Sequence, residues 1–105
     1  MDPLQLTTSR RNGTVTVAVS GELDIATTEL LRGHLLALLR EAGRAQHAAV
    51  VIDVSRLSFI DAAGLSVLVS VHDHARRQHT PLCIAGVPPA MRRLLRITGL
   101  DGHLA

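Results

Sequence analysis

Val50-Val51-Ile52-Asp53-Val54, followed by Phe59-Ile60-Asp61-Ala62-Ala63-Gly64-Leu65, is the stretch that decides the fold. The run Ala48–Val54 is almost continuously apolar and β-branched, as expected of a strand in the sheet interior. From about residue 63 the period changes. Leu65, Leu68, Val69, His72 and Ala75 recur at helical spacing to about residue 78 and form an inner face. Asp61 stands at the junction, where a carboxylate accepts amide protons that the first helical turn leaves unpaired. Small residues at 62, 63 and 64 leave the helix mouth uncovered, so another molecule's backbone can approach. A phosphate group would also be favoured there, because N–H groups and the positive end of the helix dipole converge. Neither Ala62 nor Ala63 carries a hydroxyl.

Upstream, Leu4, Leu6 and Thr8 alternate with polar residues, and Val15, Val17 and Val19 alternate again after Asn12-Gly13. Two alternating runs joined by Asn-Gly predict a hairpin with a type I′ turn, its strands near 4–11 and 14–20. Gly21-Glu22-Leu23-Asp24 then turns into an amphipathic helix. Leu31, Leu35, Leu38 and Ala42 form its apolar stripe, which Leu30, Leu36 and Leu39 widen, and Gly43 is a stop signal. Asp24, Thr27 and Thr28 can each cap its start. Downstream, Leu82–Ala85 is a short strand containing Cys83, expected to be buried. Pro89 opens a third helix at N1, Met91, Leu94, Leu95 and Thr98 give it an apolar side, and Gly99 ends it.

The element order is hairpin, helix, strand, helix, strand, helix. Strands separated by helices are parallel neighbours joined by right-handed crossovers, and crossovers stepping one way put their helices on one face. The expected fold is a small α/β domain with a mixed four-stranded sheet, its helices mainly on one face, formed by residues 1–105 as a single unit. Val15, Val17 and Val19 should face the helices, with Thr14, Thr16 and Ala18 on the other side.

Composition narrows the function. Phe59 is the only aromatic residue, so the core is aliphatic and no stacking platform for nucleic-acid bases exists. The sequence pI is near 10 because every strong base is arginine, yet the formal net charge is only +2. That balance does not call for a polyanionic partner. Met1-Asp2-Pro3 lacks the charged and apolar regions of a signal peptide, and no apolar run is long enough to span a bilayer. One cysteine excludes an internal disulfide, which fits a reducing, cytoplasmic setting.

Four motifs in order resemble the STAS family of bacterial anti-sigma factor antagonists and transporter-associated domains. They are Gly21-Glu22-Leu23-Asp24, Val51-Ile52-Asp53-Val54-Ser55, Phe59-Ile60-Asp61-x-x-Gly64-Leu65, and Pro89-x-Met91-x-Arg93-Leu94-Leu95 with Thr98-Gly99-Leu100. The resemblance implies a non-enzymatic module that docks an ATP-binding, kinase-like anti-sigma factor across the start of the second helix, freeing a sigma factor. It implies a partner surface at Asp61, Ala62, Ala63, Gly64, Leu65 and Ser66, flanked by Glu22, Asp24 and the exposed side of the second helix. In the antagonists the residue after the Asp is a phosphorylated Ser or Thr. Here it is Ala62, so no phosphoacceptor stands at that position. Two other roles follow from the same resemblance or site: a scaffold or adaptor in a signalling assembly or ABC-type lipid transporter, and a small-molecule or nucleotide sensor. The sensor reading is weak because no Gly-rich loop or cationic cluster serves the helix mouth. A homodimer stays open.

Other chemistry finds little support. Ser66 lies one turn beyond Ala62 and reads as an ordinary helix serine. His72 and His74 point apart on a helix, and His72 and His79 are about 10 Å apart along it, so no metal site is expected. No nucleophile elbow, P-loop or dinucleotide fingerprint occurs, and no cofactor is expected. Arg76, Arg77, Arg92, Arg93 and Arg96 read as solvated, dipole-favoured positions near helix ends.

Overall fold

Asn12 and Gly13 both adopt positive φ, 51° and 78°, and turn the chain between β1 (Gln5–Arg11) and β2 (Thr14–Leu23). This is the hairpin that Asn-Gly specifies. The chain continues through α1 (Thr28–Arg44), β3 (Ala49–Ile60), α2 (Ala62–Arg77), β4 (Leu82–Ala85) and α3 (Pro89–Thr98). The computed structural model describes residues 2–45 and 48–99, so Leu100 of the last motif lies outside the described residues.

The strands lie in the order β1-β2-β3-β4, with β1 antiparallel to β2 and the other neighbours parallel. Val17, Val19, Leu23, Val50, Ile52 and Val54 point to one face and join buried residues of all three helices in a single core. The helices therefore share that face, and Val15 packs against the same core. The opposite face carries the rows Ser9–Thr16–Val51–Cys83 and Thr7–Ala18–Asp53–Ala85, set side by side by the register. Cys83 lies on this uncovered side and is exposed, not buried as its apolar neighbours suggested.

Two elements run longer than the sequence pattern indicates. β2 reaches Leu23, and β3 reaches Ile60 rather than ending near Val54. The pairing steps from Ala18↔Asp53 to Ser20↔Arg56, then from Gly21↔Leu57 to Glu22↔Phe59. Each step places one extra residue on β3, and such bulges break the alternation by which a strand is read. Asp53 stabilises the first bulge, its Oδ1 accepting from the Ser55 amide at 3.0 Å. Gly86 closes over it: a Cβ there would stand 2.7 Å from Ser55 Cβ and 2.9 Å from Asp53 Oδ1.

Helix ends follow local chemistry. Gly99 ends α3 at φ 73°, in the left-handed conformation common after a helix C-terminus. Gly43 does not stop α1, which runs one residue further to Arg44. Leu30 is 58% exposed, outside the stripe it was expected to widen, and Thr98 is exposed as well. His72 is buried on the inner face of α2 as its spacing indicated. No described helix is long and apolar enough to cross a membrane.

Candidate functional site

Leu23 and Ile60 are paired at the ends of β2 and β3, which brings the β2–α1 turn beside the mouth of α2. The Asp61 amide donates to the Leu23 carbonyl at 3.3 Å. Asp61 is the N-cap of α2, and its Oδ1 accepts from the Gly64 amide at 2.9 Å. Gly64 is required by close approach: a Cβ there would lie 2.7 Å from both Leu23 Cγ and the Leu23 carbonyl oxygen. The motif Asp-x-x-Gly thus fastens the helix mouth to the end of β2.

The neighbouring turn is held by its own side chains. Asp24 Oδ1 accepts from the Ala26 amide at 2.9 Å. Thr27 occupies the N-cap position of α1, but its side chain makes no helix-capping bond. Its Oγ1 instead accepts from the Asp24 amide at 3.0 Å and faces the Glu22 carbonyl at 3.1 Å. Among the three capping candidates, Asp24 and Thr27 serve the turn rather than the helix. The chain start is tied to the same place, because the Glu22 amide donates to the Asp2 carbonyl at 3.0 Å.

Ala62 is exposed at the first helical position, with Ala63 half-buried behind it. Ser66 is exposed one turn on, and its Oγ donates to the Ala62 carbonyl at 2.9 Å. Two expected surface residues are not surface. Leu65 is 0% exposed in the core, as its inner-face spacing required, and Gly64 is buried beneath Leu23, because the mouth of α2 sits down on the ends of β2 and β3. Glu22, Asp24 and Asp61 are partly exposed and brought together at this end. No cluster of His, Cys, Asp or Glu suited to a metal ion occurs among the described residues.

The fold that carries this site, a mixed sheet with its described helices on one face, has counterparts among known proteins. A family model described as Mlab, STAS domain matches residues 6–105. The chain belongs to the STAS domain family. This STAS domain is 28% identical to the anti-sigma F factor antagonist of Paenibacillus polymyxa over 97 residues, covering 92% of this chain and 80% of that protein. It is 29% identical over 88 residues to the anti-sigma-B factor antagonist of Listeria monocytogenes, covering 83% and 73% of the two chains. The crystal structure of an anti-sigma factor antagonist from Mycobacterium paratuberculosis superposes with a TM-score of 0.80 at 28% identity, covering 96% and 82%.

Two exposed apolar residues at the site of this STAS domain escaped the sequence reading. Ile25 is 78% exposed at the tip of the β2–α1 turn, and Phe59 is 50% exposed beside Glu22. The signal for Ile25 was an isoleucine in a turn, directly after Asp24. For Phe59 it was the lone aromatic residue, placed next to the cap.

Proposed function

We propose that this STAS domain is an anti-sigma factor antagonist that docks an ATP-binding, kinase-like anti-sigma factor and so releases a sigma factor, without catalysis of its own. The supporting observation is the Asp61-capped, Leu23-anchored mouth of α2, with exposed Ala62 at the position after the cap. The reading is supported by relatives named anti-sigma factor antagonists. Docking needs an accessible helix mouth held in one geometry. Phosphate transfer needs an oxygen nucleophile, which an alanine methyl cannot supply. Phosphorylation adds about −1.5 to −2 charges and breaks an interface that desolvates it, so alanine at 62 keeps the domain competent to dock. Control then falls to abundance or to competing partners.

The test uses purified protein, candidate anti-sigma kinases and ATP, read by intact mass and complex formation together. Wild type should bind and gain no phosphate, while Ala62→Ser should gain one and leave the complex. Binding by both forms with no phosphate on the serine variant would replace the kinase by another partner.

A second reading, an adaptor subunit in a signalling assembly or an ABC-type lipid transporter, has its own support. The matching family model is described as Mlab rather than as an antagonist, and an adaptor has no use for a hydroxyl at 62. Co-purification with a permease and its ATPase, and with no anti-sigma factor, would favour it.

A further inference from the structure

The uncovered end of the sheet combines apolar exposure with unpaired negative charge. Phe59 pairs in register with Glu22, while Leu23 and Ile60, the next residues on each strand, turn towards the core. Phe59 and Glu22 therefore lie side by side on the face of the sheet that no described helix covers. Asp24 and Ile25 follow directly after β2, and Asp61 and Ala62 directly after β3. A single surface results, running from the helix mouth over the sheet edge and onto the open face.

Charge identifies what covers this surface. Asp2, Glu22, Asp24 and Asp61 gather here, and among the described residues none of them forms an ion pair. Of the nearby cations, Arg32 leans on Glu29 at 3.6 Å and Arg56 stands on β3. The opposite end of the sheet carries Arg10, Arg11, Arg40, Arg44, Arg76 and Arg77, with Glu41 held by Arg10 at 2.8 Å. The molecule is thus polarised along its strands, negative at the end where Ile25 and Phe59 protrude. An acidic face repels nucleic acid and anionic membrane, and attracts a basic protein face. Protruding aromatic and aliphatic side chains ringed by charge have the anatomy of binding hot spots.

We propose that the docking surface of this domain wraps the sheet edge onto the open face, with Phe59 and Ile25 as apolar anchors. The occupant is a protein face that presents an apolar socket rimmed by arginine or lysine. The proposal rests on docking at this end of the sheet, but not on the partner being an anti-sigma factor.

A photo-crosslinking amino acid placed at 25, 59 or, as control, 77 in the cell that makes the protein tests both points separately. Crosslinks from 25 and 59, absent at 77, should reach one protein through a peptide that carries Arg or Lys beside apolar residues. With crosslinking repeated in a lysate of those cells, salt raised from about 0.05 to 0.5 M should cut the yield several-fold, since exposed charge attraction is screened over that range. With the captured protein purified, Phe59→Ala should lower affinity at least about tenfold. Its unfolding midpoint should fall only modestly, because half of the ring is already exposed. Silence at 25 and 59, crosslinks from 77 alone, crosslinks to a second copy of this chain, or unchanged affinity of Phe59→Ala would each overturn the surface. Crosslinks from 25 and 59 to a protein that is not an anti-sigma factor would leave the surface standing and overturn the antagonist role.

Discussion

At the scale of single residues, Asp61 and Gly64 do different work within one motif. Asp61 satisfies an amide that the first turn of α2 cannot satisfy, so Asp61→Ala should cost about 0.5–2 kcal/mol, as N-cap losses do. Asp61→Asn keeps an acceptor oxygen and should recover most of that. Alanine at 64 is the better helix former by about 1 kcal/mol. That gain loses to sterics, because the new methyl would meet the Leu23 side chain and carbonyl at 2.7 Å. Gly64→Ala should therefore destabilise, by about 1–3 kcal/mol as overpacking does. The chain has no Trp or Tyr, so far-UV circular dichroism in urea is the suitable readout. A Gly64→Ala variant more stable than wild type would show that the end of β2 is free to move away from the helix mouth. The cap was legible in the sequence because Asp before a helical run has one local meaning. The burial of Leu65 was legible too, from its helical spacing, but that of Gly64 was not, because it depends on Leu23, about forty residues earlier.

At the scale of elements, β3 marks where sequence reading stops. Val50, Ile52 and Val54 alternate cleanly into the core, but Ser55-Arg56-Leu57-Ser58 has no strand-like period, and only pairing to β2 across two bulges makes it a strand. Local pattern cannot foresee such a detour, since its cause lies in distant partners, Ser20, Glu22 and Gly86. The hairpin, both crossovers and the ends of α3 were legible, because Asn-Gly, Pro89 and Gly99 act through their own backbones. Asp53 offers a test of the bulge. Hydrogen bonds from the Ser55 amide and side chain hold its carboxyl below the usual carboxylate range, with Arg56 adding a smaller pull in the same direction. A carboxyl depressed in the folded state stabilises it above the unfolded value, about pH 4, and that contribution is lost as pH falls through the folded value. Wild type should lose stability on acidification through this window, and Asp53→Ala should lose less of it. The difference will be small because the carboxylate is largely solvated. Identical acid branches in urea titrations between pH 5 and 2.5, chosen as about one to two units around that value, would show that Asp53 does not hold the bulge.

At the scale of the molecule, one aliphatic core supports the whole docking end, and this separates stability from binding. Leu68 is 0% exposed on α2 and belongs to the same cluster as Ile52, Leu31 and Met91, with no aromatic ring in it. Truncating a buried leucine leaves a cavity as well as removing transfer free energy, at about 2–5 kcal/mol. A domain of this size holds roughly 5–15 kcal/mol in total. Leu68→Ala should therefore shift the urea midpoint sharply and unfold a measurable fraction at 37 °C. Ile97→Ala, at a position 75% exposed on α3 and away from the docking end, should move it by no more than about 0.5 kcal/mol. Partner binding by Leu68→Ala should fall only as far as its unfolded fraction requires, and cooling to the temperature of greatest stability should restore it. Variants at Phe59 or Ile25 should show the reverse, full folding with weakened binding at every temperature. If Leu68→Ala binds poorly even when circular dichroism shows it fully folded, the core would be shaping the docking surface directly. The rigid anchoring of that surface through Leu23 would then be too simple an account.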